Sequence, residues 1–567
     1  MRSFIVFRTL LILILSILSE GAFFPTQAFS NDSNIAAEIR SLLEGNETQI
    51  SVAGNPSPIH SRSTLLTFYF ERAFLPGWSE ALQPTCKARE LLYLIRQAGF
   101  DGLVPEDYHL ESLNTLFDKD MEGKSLAERE LALLDILLSD AFLTYAHHLY
   151  KGKVHPEHLN GIWDIQTKQT EPSVLGRLNR ALSGNHVKEE LHSLRPKLLV
   201  YERMRLSMKK YHGMEKAYED KNWIPLSIEE SLKVTQRNEH VPHIREKLIF
   251  WKDLESYPVI AEQRDFYDST MAEGVKKFQL RNGLQPDGIL GRATIEALNQ
   301  RPRQLMDKLA VNMERLRWLP DTTLQEFILV NIANYSLDLI RERDTLLHSK
   351  VIVGKSYRKT PVFNATMSYL VFSPTWTLPP TILKNDALPA IRKNINYLAQ
   401  KNMKVIDHSG QEINPNSVDW QQMNGDNFPY LIRQSPGPQN SLGLVKFMFP
   451  NKYSVYIHDT PSRELFYRED RALSSGCIRI EKPFELAQLL LKDQPLWSDE
   501  RIRSAMNGKK EQIVRLDRKI PVIILYLTFW TDSNHRENIR RDIYDRDIEL
   551  LKLLRTPLIA SVVGDKN

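Results

Sequence analysis

Only two of the 567 residues are cysteine, Cys86 and Cys477, and they stand far apart in the chain. So few thiols exclude a disulfide framework. Either the two pair with each other or at least one is kept free for chemistry. No Cys/His cluster has the spacing of a zinc site, so neither a metal nor another cofactor is expected. Charge of one sign is also scarce: 74 basic against 70 acidic residues leave +4, too mild a surplus to call for a nucleic-acid partner. Long apolar runs are missing too. The stretch from about Leu10 to Leu18 and the later "IPVIILYLTFW" (Ile520 to Trp530) both fall short of the ~18 residues that span a bilayer.

The first of these runs follows Arg2 and Arg8 and precedes a small-residue stretch ending Ala28-Phe29-Ser30. This is the layout of a secretory signal peptide, expected over residues 1–30, so membrane contact is expected only before its cleavage. The second run is rich in β-branched and aromatic residues and reads as a buried strand. With 42% hydrophobic residues, the chain can fill real cores, and its length suggests roughly three domains at ~100–200 residues each.

After a polar leader, residues of about 60 to 225 read as helical. In "SLAERELALLDILLSDAFLTYAHHLY", Ser125 and Glu128 fit a capping box, and Leu126, Leu133, Ile136 and Leu137 begin an apolar face. His147 and His148 read as surface or satisfied core histidines, since no second ligand cluster accompanies them. Cys86 opens another amphipathic helix and is expected to be a buried structural thiol. Near Pro242 the texture changes. Short helices flank a turn in which Asp287-Gly288 supplies the bend and Gly291 is expected to permit close backbone approach, before a helix starts over Arg292 to Leu298. A further helix carries Leu305, Leu309, Met313 and Leu316 on one face, and Pro320 ends it. Beyond it the period falls from 3.6 to 2, so the C-terminal part is β-rich, with a lapse into helical and polar sequence between Asn385 and Asn427 that reads as an inserted lid.

Cys477 lies in this β-rich part, in "RALSSGCIRIEKP". Leu442–Phe449 and Tyr453–His458 read as a β-hairpin, and strand alternation puts Ser454, Tyr456 and His458 on one face. Gly476 precedes Cys477, and its missing side chain allows a carbonyl substrate to approach backbone amides around Gly476 and Cys477. Arg479 falls on the same side as Cys477 if the segment is extended, and Pro483 opens a helix. A thiol needs an imidazole to remove its proton before it attacks an amide carbonyl well. His458 is the histidine in short range, so acyl transfer through a thioester is the expected chemistry. A strand-end histidine beside a small buried cysteine is the bland alternative.

Two resemblances sharpen this. Phe278-Gln279, Gly283-Leu284, Asp287-Gly288, Gly291 and Thr294 resemble the pattern of the peptidoglycan-binding type 1 domain. His458, fifteen intervening residues, then Ser474, Ser475, Gly476, Cys477 and Arg479 resemble the catalytic core of murein L,D-transpeptidases with a YkuD-type domain. Ser475, where the commoner pattern has histidine, points to the YcbB type. The resemblance implies an α+β multidomain protein: a helical scaffold over 31–230, a small helical peptidoglycan-binding-like bundle over 231–302, a linker helix over 303–324, and a mostly β catalytic domain over 325–555 with the lid at 385–427.

It implies a periplasmic enzyme in which Cys477 attacks the amide between the third residue of a tetrapeptide stem and its terminal D-alanine. A neighbouring stem then resolves the thioester into a third-to-third crosslink. His458 would be the base, oriented by a main-chain carbonyl such as that of Asp459. Tyr456 and Trp376 would line the substrate cleft with Ser474 and Ser475, and Arg479 would steady the site or a substrate carboxylate. Partners would be donor and acceptor peptidoglycan stems and other wall synthases, and carbapenems would acylate Cys477. Hydrolysis of stem peptides, or a wall-binding scaffold with an idle Cys477, are the alternatives.

Overall fold

The computed structural model describes residues 26–558, apart from 46–48, 162, 166–167, 169–172, 185, 321–324 and 343. The expected signal peptide lies almost wholly outside the described residues. No described helix is long and apolar enough to cross a membrane. The chain divides into two compact units.

The first unit comprises Met1–Lys153, Thr170–Arg195 and Arg555–Asn567. Its centre is the helix Glu128–Lys151, which is buried almost all round. A helix buried on nearly every face must be enclosed by others, and its buried polar residues, Asp135 and Asp140 among them, are hydrogen-bonded. Helix begins well before residue 60: Thr26–Glu44 places Ile35, Ile39 and Leu43 in the same core. The capping box falls elsewhere than expected. The helix starts at Glu128 itself, and the Ala127 N–H donates to Glu130 Oε2 at 2.9 Å, so Ser125 stays outside it. His148 is buried and bonds the Tyr108 hydroxyl at 3.0 Å, a satisfied core histidine. Cys86 does open the helix Cys86–Arg96, but it is exposed, because the first turn turns Ala88 and Leu91 inward instead. Both cysteines are free thiols.

The second unit comprises Val154–Gln169 and Pro196–Leu554, so the helix Leu199–Glu219 belongs here, not with the helices before it. It packs on Pro302–Arg317, where Arg317 donates to the Tyr201 hydroxyl at 2.8 Å and to Glu314 at 2.5 Å. Three helices, Val241–Phe250, Ser269–Arg281 and Arg292–Leu298, form a small bundle. Gln279, 2% exposed, ties it together: its amide donates to Asp287 Oδ1, the Ile289 carbonyl and Thr294 Oγ1, and accepts from the Gly288 N–H. Gln279, Asp287, Gly288 and Thr294 of the motif are thus bonded to one another within the bundle. Gly288 has a left-handed φ of +75°, as a tight bend requires. Gly291 does not mediate close approach, since a Cβ there would meet only Ser231 Oγ at an ordinary 3.5 Å.

Eight strands make the main path of a ten-stranded sheet: β1 (Glu326–Asn331), β2 (Ser336–Arg341), β3 (Asp344–Gly354), β4 (Val362–Phe372), β5 (Val445–Met448), β6 (Ile457–His458), β7 (Ile478–Ile480) and β8 (Gln512–Leu525), with Ala472–Ser474 added beside β3 and Trp163–Asp164 beside β4. They pair in the order β5-β6-β7-β3-β2-β1-β8-β4, and β4 returns to β5 from Phe372↔Val445 to Tyr369↔Met448, so the sheet closes on itself. The β6–β7 and β1–β8 pairs are parallel and the others antiparallel. Ile520, Val522 and Ile524 of β8 face the core, as their alternation predicts.

Between β4 and β5 the chain builds a cap with its own core around Leu378, Leu388, Ile391, Val405, Trp420 and Ile432. It is wider than the expected 385–427 and carries a four-stranded antiparallel sheet: Trp376–Thr377, Leu431–Gln434, Met403–Ile406, Glu412–Ile413. Strands of two to four residues leave too little alternation to read in sequence.

Candidate active site

Cys477 directly precedes β7, and the parallel register sets Ile457 opposite Ile478 and His458 opposite Arg479. The Ile478 N–H donates to the Tyr456 carbonyl at 3.1 Å, which brings Tyr456 alongside Cys477. Tyr456 and His458 share a face, with ring centroids 5.6 Å apart. The expected alternation does not extend to Ser454, whose φ of +55° breaks the strand and aims its carbonyl at Cys477 Sγ, 3.8 Å away. Regular hairpin pairing is accordingly limited to Lys446↔His458 and Phe447↔Ile457.

His458 is buried, and its Nδ1 lies 2.5 Å from the Asp459 carbonyl. A carbonyl can only accept, so Nδ1 carries the proton and Nε2 keeps its lone pair. Asp459 is itself pinned: its carboxylate accepts from the Leu444 N–H at 2.9 Å and from Arg463 at 3.0 Å. The chain can pack Gly443 against that carboxylate because Gly443 has no side chain and a φ of +63°.

Burial and the nearby Arg479 charge push the His458 imidazole down to about 3, and burial pushes the Cys477 thiol up from its ordinary value. Both shifts favour the neutral thiol and neutral imidazole over a thiolate–imidazolium pair. Among the described residues no hydrogen bond joins Cys477 to His458; the thiol faces Ser454 and the Tyr456 hydroxyl instead. Burial also raises the Tyr456 phenol, with Cys477 as a further cause. Arg479 is half-buried, its Nε has no hydrogen-bond partner among the described residues, and Cys477 acts on its charge. A cation so placed favours negative charge developing on sulfur or on an attacked carbonyl oxygen.

The two serines part company. Ser474 is buried and shapes the loop, donating to the Cys477 carbonyl at 2.6 Å and accepting from the Gly476 N–H at 3.1 Å. This removes Ser474 from direct substrate contact and occupies the Gly476 amide expected for an oxyanion. Gly476 sits at φ +118°, a region closed to other residues. Its carbonyl accepts from Thr360 Oγ1 at 2.9 Å, which in turn accepts from the Gly354 N–H at 2.9 Å. Ser475 is exposed and bonds Arg358 at 2.8 Å. Trp376 stands where the chain leaves β4 for the cap and packs half-buried on the cap core. Thr360 and Arg358 escaped the sequence reading, because they reach the loop from over a hundred residues away.

Among the described residues one group has metal-ligand composition, His60, His109 and Asp140 in the first unit. Asp140 accepts from the main chain of His60 and Ser61 and bonds His109 Nε2 at 2.8 Å. Its oxygens are already committed.

Comparison with known proteins decides the family of this site. Residues 325–510 match the YkuD family, described as L,D-transpeptidase catalytic domain. The chain carries a YkuD L,D-transpeptidase domain. Residues 238–298 match a family described as "Putative peptidoglycan binding domain", and residues 63–208 a family described as scaffold domain. A protein named "Putative L,D-transpeptidase" from Haemophilus influenzae is 37% identical over 271 residues, 47% of this chain and 54% of that protein. The chain thus matches about half the length of this curated relative. L,D-transpeptidases of solved structure from Xylanimonas cellulosilytica (11% identity, TM-score 0.16, 53% of this chain and 100% of that chain) and Mycobacterium smegmatis (12%, 0.18, 36% and 61%) are distant matches. One from Stackebrandtia nassauensis matches at 12% identity and TM-score 0.21, over 53% of this chain and 97% of that chain. The YkuD match encloses all the residues around Cys477 described above, and β8 lies wholly beyond its end.

Proposed function

We propose that the protein is a periplasmic, cysteine-dependent L,D-transpeptidase of the YcbB type that makes third-to-third peptidoglycan crosslinks. The observation that carries this reading is the strand pairing that sets Cys477 and Arg479 beside Tyr456 and His458 within a YkuD domain. The succession of scaffold, peptidoglycan-binding and YkuD matches supports the YcbB type and a wall substrate. Other wall synthases are proposed as its partners.

In the first step the Cys477 thiol turns from Ser454 to His458 Nε2. Sulfur attacks the carbonyl of the third stem residue, the C–S bond forms, and the bond to D-alanine breaks. The thiol proton passes through His458 to the leaving amine. In the second step a side-chain amine of another stem attacks the thioester, and its proton returns through His458 to sulfur. The Cys477 N–H has no protein acceptor among the described residues and is the amide proposed for the oxyanion. Tyr456 and Trp376 are proposed to line the cleft.

Mass spectrometry of muropeptides made with the parent and with Cys477→Ala tests the reading. Loss of third-to-third crosslinks in the variant is expected. Unchanged crosslinks would sink it, and crosslink loss without new products in the parent would favour hydrolysis. A carbapenem mass adduct on the parent, absent from Cys477→Ala, is a second check.

A further inference from the structure

The steps above leave unused one arginine beside the nucleophile loop. Arg358 lies in the turn between β3 and β4. Its Nη1 donates to Ser475 Oγ at 2.8 Å and to Asp386 Oδ2 at 2.6 Å, and its Nη2 reaches Asp386 Oδ1 at 3.3 Å. Ser475 is two residues before Cys477, and the Arg358 carbonyl stands 3.9 Å from where a Cβ on Gly476 would be. A guanidinium held on the nucleophile loop thus grips a carboxylate with both nitrogens, the arrangement by which arginine recognises carboxylates.

That carboxylate belongs to the cap. Asp386 is exposed and stands on Leu383–Ala387, a single π-helical turn between Pro380–Ile382 and Leu388–Lys393. Such turns interrupt regular helix and gather at functional sites. The donor of the proposed reaction brings a carboxylate of its own, because the departing D-alanine bears one on the carbon next to the scissile nitrogen. Exchanging one carboxylate for another on Arg358 leaves no buried charge unpaired, so the exchange costs little electrostatically. Arg479 suits this role less well: its charge acts on the thiol and the imidazole, and its buried Nε has no acceptor among the described residues.

We infer that Arg358 binds the terminal carboxylate of the donor peptide, and that Asp386 fills this place in the free protein, so that donor binding releases the cap from the nucleophile loop. This rests on the transpeptidase reading. The experiment measures equilibrium binding, without turnover, to the full chain carrying Cys477→Ser. The probes are a synthetic tetrapeptide stem ending in D-alanine and the same peptide ending in a carboxamide.

The acid should bind at least about tenfold more tightly than the amide. Asp386→Asn should tighten the acid several-fold and leave the amide unchanged. Arg358→Ala should abolish the preference, and Arg358→Lys should restore part of it. Weaker binding of the acid by Asp386→Asn would make the pair a structural latch and overturn the inference, as would equal binding of acid and amide by the chain carrying Cys477→Ser alone. D-alanine release by the parent enzyme is measured separately, so failure of the reaction and failure of the carboxylate site are distinguishable.

Discussion

The His458 imidazole is hydrogen-bonded to the main chain of the very next residue, its Nδ1 lying 2.5 Å from the Asp459 carbonyl. The bond fixes the tautomer that leaves Nε2 to receive a proton. With the thiol raised and the imidazole lowered, the resting pair is neutral, and the proton must move as sulfur attacks. Alkylation of Cys477 by iodoacetamide, followed in a Cys86→Ser background, should therefore show a single rise on the alkaline side, above the thiol's ordinary 9.0. A plateau near neutrality would reveal a preformed ion pair and contradict this view.

The same burial predicts an acid-side loss of stability. In the folded protein His458 takes up a proton only near 3, whereas unfolded it does so near 6.5. Between those values the unfolded state holds more protons, so stability falls as pH drops through that window. His458→Gln removes the titration. Denaturant unfolding at several pH values should give a shallower slope between about 3 and 6.5 for the variant.

Thr360→Val deletes a buried hydroxyl that both supports the Gly476 carbonyl and accepts the Gly354 amide. Leaving these two groups unpaired should cost about 1–3 kcal/mol each, measured by urea unfolding. Because the carbonyl belongs to the nucleophile loop, kcat should fall while KM for the donor holds. Unaltered kcat would mean that the loop keeps its shape without Thr360.

Gly443→Ala should be harsher than its size suggests. A left-handed φ in a non-glycine residue costs about 1–3 kcal/mol, and the added methyl would press on the Asp459 carboxylate. Displacing Asp459 moves the carbonyl that orients His458. Activity should then drop further than the lost stability explains. D-alanine release at a temperature where the variant is fully folded checks this.

Much of this architecture is legible from local pattern. Arg292–Leu298 follows its glycine turn, Pro483 opens the helix Pro483–Leu491, and Ile520 to Leu525 alternate as a buried strand must. Cys477, Tyr456, His458 and Arg479 were reachable because all lie on adjacent, closely spaced segments. What escaped depends on distant parts of the chain. Nothing near Ser454 announces a positive φ, nothing near Cys86 says that its thiol faces outward, and short cap strands give no period. Ser474 and Ser475 read alike, yet Thr360 and Arg358 belong to the surroundings that turn one inward and one outward, and both come from the β3–β4 turn.

The cap leaves the sheet after Phe372 and re-enters it at Val445, and these two residues are paired neighbours in β4 and β5. The Ser373 N–H donates to the Leu444 carbonyl at 2.9 Å across the same gap. An excursion that begins and ends at one rung of a closed ladder can be exchanged for another of different length without opening the ladder. Related chains can thus trade this piece wholesale, changing what is admitted to the cysteine while the strands that hold it stay as they are.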